Sequence, residues 1–450
     1  MKGYQIGAII ILVFTNFLFG QQNSDWDSIK PTISPIVAAS LENEFESPFR
    51  QPLAAYGWED GLHISRDGKH LYALYFPGDL LGWTQFFVQN MGTSPICDLL
   101  EDTSFIRPYA DTYDMDMTTN TLGCERFVNV DILYAYRDDV NDTFTDWQLS
   151  GIARPGAVEG SPFPLFSEGN SNQLDIFLFT GDGDIWMIKN TTPNPSGIEQ
   201  AIRLPSPINP VNDEFNADNP HLERLNGDTL LMIYENYTDS DFRDFLYVLS
   251  YDNGDTWTAP ANISTINHSM GKIEHPHLYK DEGDWFLYYS LDCDIYRSKQ
   301  QTPHDWDSWE SPELVIEKGN SLCVGEPTLT DKGDISFVVV YENQVNDNPN
   351  DTYDIDPWFL PKKSALNIEE SLNNQQDWTI FPNPFNDRLH VISQNEIKRI
   401  IIYDVYGRIV YKDHYFEGEI EIILTNIPSG NYFLEIHTNS DLDRVKITKH

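Results

Sequence analysis

The stretch Ala217-Asp218-Asn219-Pro220-His221-Leu222 returns as Ile273-Glu274-His275-Pro276-His277-Leu278. Shorter versions stand at Glu59-Asp60-Gly61-Leu62-His63, Glu159-Gly160-Ser161-Pro162 and Gly325-Glu326-Pro327-Thr328-Leu329. After most copies come a short turn and an aromatic or branched run, such as Leu71-Tyr72-Ala73-Leu74-Tyr75 and Phe337-Val338-Val339-Val340-Tyr341. A third element often opens with Asp-Ile (Asp131-Ile132, Asp184-Ile185, Asp294-Ile295), and a fourth usually carries Trp (Trp147, Trp257, Trp309). Four short alternating strands per copy predict a propeller blade, and a unit repeated at this length is copied around an axis. The expected fold is therefore all-β: a five-bladed β-propeller. Each copy carries an acidic residue at its start, Asp60, Glu159, Asp218, Glu274 and Glu326, so ring closure would bring five carboxylates to one axial opening.

Working outward, the propeller is expected over residues 21–363, with an insertion at about 78–125 between the second and third strands of the first blade. The last copy lacks a fourth strand. Ser24-Asp25-Trp26-Asp27-Ser28 resembles Asp305-Trp306-Asp307-Ser308-Trp309, so the N-terminal segment is expected to complete blade five and latch the ring. Residues 364–376, with Asn373-Asn374-Gln375-Gln376, read as a polar linker, and 377–450 as a second, smaller domain.

Lys2 followed by the mostly apolar run Ile6–Phe19, with Gly20 before Gln21-Gln22, predicts a signal peptide over 1–20. No other segment is apolar enough for a transmembrane helix, so the mature chain is expected to be exported without one. Export permits disulfides, and the cysteines form two local groups, Cys97 with Cys124 and Cys293 with Cys323, for which pairing within each group is expected. The chain has 29 Lys+Arg against 70 Asp+Glu, a net charge of −41 that repels a phosphate backbone and excludes nucleic acid as a partner.

The C-terminal region carries Ile380-Phe381-Pro382-Asn383-Pro384-Phe385, then Ile400-Ile401-Ile402-Tyr403-Asp404-Val405-Tyr406-Gly407-Arg408, then Ile427-Pro428-Ser429-Gly430-Asn431-Tyr432-Phe433 and a basic end at Lys446 and Lys449. Alternating strands with turns at 404–407 and 428–430 suggest a small β-sandwich. These motifs, in this order, resemble the C-terminal sorting domain of cargo proteins of the type IX secretion system of Bacteroidetes. The resemblance implies secretion to the outer-membrane surface or beyond, with the type IX machinery as partner through residues 377–450.

The propeller repeat resembles the five-bladed propellers of glycosidases. That resemblance implies glycoside hydrolysis of an extracellular polysaccharide or glycan, with Asp60 as base, Asp218 as modulator and Glu274 as acid, and with Glu159 and Glu326 at equivalent places. Gly61 stands where the family usually has Pro. Crowded carboxylates shift one another's pKa, which separates an acid from a base. Trp58 and Trp83 are expected to stack on sugar faces, and His63, His221 and His277, sharing one position in three blades, to line the same opening. No metal ligand set and no cofactor is assigned. Asp111-Thr112-Tyr113-Asp114-Met115-Asp116 and Asp351-Thr352-Tyr353-Asp354-Ile355-Asp356 offer oxygens for a structural calcium, without EF-hand spacing.

Two further resemblances point to a non-catalytic binding or adhesion propeller. Ser250-Tyr251-Asp252-Asn253-Gly254-Asp255-Thr256-Trp257 matches the Asp-box of sialidase-type propellers, a structural hairpin remote from the mouth. Ile64-Ser65-Arg66-Asp67-Gly68 resembles the hairpin of periplasmic propellers related to TolB, which bind proteins and have no active site. In this reading each acidic residue accepts backbone N–H groups and keeps the ring in register.

Overall fold

The structure, a computed structural model, describes residues 26–53, 57–100, 124, 130–153, 158–181, 183–209, 215–239, 242–343, 352–363, 378–404, 408–438 and 442–450. The chain divides into two compact units, with the break between Lys363 and Ser364. The segments read as signal peptide (1–20) and linker (364–376) lie outside the described residues, as does Asp111–Asp116.

The larger unit is a five-bladed propeller. Blade one pairs Trp58–Ile64, His70–Phe76, Asp131–Tyr136 and Gln148–Leu149 in order. Blade two pairs Glu159–Ser167, Asn170–Gly181, Asp184–Thr191 and Ile202–Arg203. Blade three runs from Asn216–Asn226 through Thr229–Asp239 and Phe242–Ser250 to Ala261–Asn262. Blade four runs from Ile273–Asp281 through Asp284–Leu291 and Asp294–Lys299 to Glu313–Glu317. Blade five has Cys323–Leu329, Ile335–Glu342 and Tyr353–Leu360 from the C-terminal end of the unit. Adjacent strands within a blade are antiparallel, and buried apolar side chains such as Ile64, Leu71, Leu133, Ile176, Leu231, Leu287 and Val339 fill the spaces between blades.

The fourth strand of blade five does come from the N-terminal side, but not from residues 24–28. Phe49–Arg50 supplies it, pairing with Phe359 and Trp358. Trp26–Ile29 is instead a single helical turn, and Ile36–Val37 adds an outer strand to blade four against Glu317 and Ile316. Trp26 is buried with Trp358, Phe337 and Tyr341. Its Asp-Trp-Asp-Ser neighbourhood mimics the Trp306 turn in composition while serving a different contact. A short parallel contact, Ile355 with Trp58, joins blade five to blade one.

The strap from 26 to 50 is fastened by charge as well as by apolar packing. Lys30 Nζ lies 2.6 Å from Asp354 Oδ2 and 2.8 Å from Asp356 Oδ1, and Arg50 Nε lies 2.7 Å from Asp356 Oδ2. All but Arg50 are fully buried. These pairings engage Asp354 and Asp356 with cations of the chain itself.

Both expected disulfides are formed, Cys97–Cys124 and Cys293–Cys323. The first lies in the insertion, whose described part holds helices Leu80–Asn90 and Ile96–Leu100. Asp79 caps the longer helix through Gly82 N at 2.8 Å and also accepts Thr352 N and Tyr353 N from blade five, at 2.9 and 3.0 Å. No helix among the described residues is long and apolar enough to cross a membrane.

The smaller unit is a β-sandwich. Trp378–Phe381, Arg388–Asp404, Gly430–His437 and Leu442–Lys449 pair in that order, and Ile409–Ile423 pairs with the other side of Arg388–Asp404. Register shifts between Ile392 and Arg399 divide this last pairing into two halves, so the two long strands bend and contribute to both layers. Leu389, Val391, Ile400, Ile402, Ile420, Ile422, Leu434, Ile436 and Ile447 form its core, as their alternation requires.

Candidate functional site at the axial mouth

Every inner strand breaks its ladder at the same point. The register shifts fall between Asp60 and His63, Gly160 and Phe163, Asp218 and His221, Glu274 and His277, and Gly325 and Thr328. The first bulged residue has a left-handed backbone in all five: Gly61 (φ +58°), Ser161 (+45°), Asn219 (+46°), His275 (+56°) and Glu326 (+57°). Such a conformation is uncommon for residues other than glycine, and Pro at the next position in four blades fixes the second half of the bulge. The left-handed residue and the two that follow it, from all five blades, line one cavity of about 40 Å³ on the ring axis.

This register corrects the equivalence of the five acids. Asp60, Asp218 and Glu274 precede the left-handed residue, and the same position holds Gly160 and Gly325 in the other two blades. Glu159 sits one residue earlier, opposite Gly181, fully buried and off the cavity wall. Glu326 is itself the left-handed residue and reaches the cavity. Counting from the repeated acid hides this offset; counting back from the shared proline exposes it.

The acids form two groups. In the first, Asp60 Oδ1 accepts Gly61 N at 2.9 Å and its Oδ2 accepts Trp58 Nε1 at 3.0 Å. Glu326 Oε2 accepts Leu62 N of blade one at 2.9 Å, and its Oε1 lies 3.1 Å from His275 Nε2 of blade four. Burial and the adjacent Asp60 hold the Glu326 carboxyl well above the usual range. Burial pushes Asp60 up too, but hydrogen bonds from Glu326, Trp58 and Gly61, together with His275, bring it below its ordinary value. The two carboxyls share a hydrogen bond and are shifted in opposite directions, Glu326 up and Asp60 down.

The second group contains residues the sequence reading missed, Glu235 and Arg243. Glu235 stands opposite Asp218 in the ladder, fully buried. It accepts Asn219 Nδ2 at 2.8 Å and His275 N at 2.5 Å, and is paired with Arg243 Nη1. Burial pushes Glu235 up, but Arg243 and His275 outweigh it and keep the group below its usual value. Arg243 Nε also lies 3.2 Å from Glu274 Oε1, which Lys272 Nζ approaches at 3.4 Å. The Arg243 guanidinium covers the Tyr237 ring, 4.4 Å from its centroid. Asp218 accepts Asn219 N at 2.8 Å and Ser161 Oγ at 2.9 Å; burial and Glu235 raise its pKa. The signal for Glu235 was an acid continuing the apolar run Leu230–Tyr234, a position strands seldom leave unpaired.

Beneath the mouth, His63, His221 and His277 are brought together with Phe163. Ring centroids lie 4.3 Å apart for His221–His277, 5.7 Å for His63–His277, and 4.5 and 4.7 Å from Phe163 to His63 and His221. Burial pushes all three imidazoles down, His221 to about 4, so the floor is neutral near pH 7. His277 Nε2 accepts Leu329 N at 3.1 Å. Below it Arg66, from the Ile64–Gly68 hairpin, bonds Glu223 at 2.7 Å and the Leu278 carbonyl at 2.5 Å, tying three blades together.

Trp58 is buried and serves Asp60 from behind. Trp83 is packed in the insertion helix between Phe76 and Phe87 and does not line the cavity. The Ser250–Trp257 turn also lies off the cavity wall, held by Gly254 N to Ser250 Oγ at 2.8 Å and Thr256 N to Asp252 Oδ1 at 2.8 Å.

Fold and site together define a five-bladed propeller whose axial mouth is lined by the bulges of its five inner strands, with Glu326 as the acid on the wall. Residues 379–449 match the family of secretion system C-terminal sorting domains, and the smaller unit is a type IX sorting domain, which directs the chain to the cell surface or the extracellular space. No curated protein matches the chain. Among solved structures, it is similar to an α-L-arabinofuranosidase from Podospora anserina in complex with cellotriose, at 8% identity over 71% of this chain and 96% of that one, with a TM-score of 0.40. It is also similar to an exo-β-1,3-galactanase from Phanerochaete chrysosporium, at 10% identity over 92% and 99%, with a TM-score of 0.38. A third similarity is to the NanB sialidase from Streptococcus pneumoniae, at 15% identity over 52% of this chain and 36% of that one, with a TM-score of 0.33.

Proposed function

We propose that the exported propeller binds a hydroxyl-rich glycan end at its axial mouth and does not cleave it. The observation that carries this reading is the state of the mouth's acids. Each is already engaged by a backbone N–H, a cation or another carboxyl, around an opening of about 40 Å³. Such a volume takes about three or four waters at ~10–15 Å³ each, or the hydroxyls that replace them. Glycoside hydrolysis needs an acid and a base flanking one bond, roughly 5 Å or 6.5–9.5 Å apart. Here Glu326 is hydrogen-bonded to Asp60, and Glu274 faces Arg243 and Lys272. Ser161, Asn219, His275 and Glu326 instead present a convergent set of donors and acceptors suited to hydroxyl groups. In this account residues 1–20 are a leader, 21–363 the functional propeller, 364–376 a linker and 377–450 the sorting domain.

The test is a polysaccharide panel presented to wild type, Asp60→Asn, Glu274→Gln and Asn219→Ala, read both as retention and as release of reducing ends. Retention without release, weakened in Asp60→Asn and Asn219→Ala, is expected. Release by wild type that disappears in Asp60→Asn and Glu274→Gln would establish the hydrolase instead, and absence of retention across the panel would reject the glycan.

A further inference from the structure

We propose that Asp60, His275 and Glu326 form a binding site for a divalent transition-metal ion of the zinc class at the axial mouth. One donor atom from each lies within 4.8 Å of the other two. A zinc ion bound at ~2.0–2.2 Å in tetrahedral geometry needs donors about 3.4 Å apart, and His275 Nε2 and Glu326 Oε1 already stand 3.1 Å apart.

The surroundings are those of a held ligand set. Glu326 is fixed from behind by Leu62 N and Asp60 by Gly61 N and Trp58 Nε1, so both carboxylates keep their orientation. His275 is set by its own backbone N–H on Glu235, whereas its buried Nδ1 has no hydrogen-bond partner. Glu326, at Nε2, holds the imidazole. The three residues come from three consecutive blades, four, five and one, so the ion would also brace the closure of the ring. Two carboxylates and one imidazole suit zinc and its neighbours; calcium, which takes 6–8 oxygen ligands, finds too few here. His275 and Glu326 also line the cavity, which leaves at least one coordination position open toward it for water or a ligand hydroxyl.

This inference does not rest on the glycan reading, and the two fail separately. The full chain, stripped with chelator, is titrated with zinc chloride by calorimetry and by thermal melting. One ion per chain and a raised Tm are expected. His275→Ala and Glu326→Gln should each weaken binding at least tenfold, while His268→Ala, at an exposed histidine bonded to Asp244, should leave it unchanged. Zinc-soaked wild-type crystals, which need no variant to fold, should show an anomalous peak between the three side chains. A peak elsewhere, or no stoichiometric binding, would overturn the site. Glycan retention measured in the presence of chelator tests the other reading alone.

Discussion

At the scale of single residues, the fold turns on five left-handed positions. Four blades place a side chain there, at a cost of about 1–2 kcal/mol each, and each of those side chains faces the mouth. Blade one uses Gly61, where an added Cβ would meet Leu74 Cβ and Ser161 N at 3.2 Å. Gly61→Ala should therefore lower stability by about 1–2 kcal/mol in urea unfolding, from left-handed strain and crowding together; a neutral result would contradict the bulge register. The histidine floor makes a second prediction. The folded-state pKa of His221 is depressed to about 4, so below its unfolded value near 6.5 the unfolded chain binds the extra proton. Stability is then lost as pH falls from about 6.5 toward 4, by ~3 kcal/mol from this residue. His221→Phe should flatten the fall in Tm between pH 7 and 5 relative to wild type; an identical profile would show that the floor does not titrate.

At the scale of elements, closure depends on the strap. Lys30 lies between Asp354 and Asp356, and removing it takes a buried cation away from two buried carboxylates, while Arg50, which pairs with Asp356, is partly exposed. Lys30→Met should cost about 3–5 kcal/mol by denaturant unfolding; a loss below about 1 kcal/mol would mean that the strap does not close the ring. Cys293–Cys323 ties the blade-four hairpin to the start of blade five across a sequence separation of 30. Replacing both with Ser should cost about 2–4 kcal/mol under oxidising conditions and nothing after reduction. Strand identity was legible because alternation and turn residues are local: the Leu71–Tyr75, Trp285–Tyr289 and Phe337–Tyr341 runs are all second strands. The strap was legible only in part. The missing fourth strand announced itself, but the two residues that fill it, Phe49 and Arg50, carry no pattern of their own. The charge pairing that fastens them involves Arg50 and Asp356, far apart in sequence.

At the scale of the whole molecule, the repeat foretold that distant acids would meet on an axis, and Asp60, Asp218, Glu274 and Glu326 do gather at one end of the ring. Their partners were hidden. Glu235 and Arg243 lie on the second and third strands of one blade, and only the closed ring shows that they neutralise the mouth. Trp83 was misplaced for the same reason, since nothing local distinguishes an aromatic that packs inside an insertion from one that faces a ligand. The sorting domain was legible almost whole, because its motifs are contiguous and its fold is self-contained.

The most direct test is a crystal of the mature propeller soaked with the best-retained oligosaccharide of the panel. The account predicts an intact ligand whose terminal hydroxyls enter the mouth against Ser161, Asn219, His275 and Glu326. A ligand bound elsewhere, or cleavage products lying between Asp60 and Glu274, would contradict it.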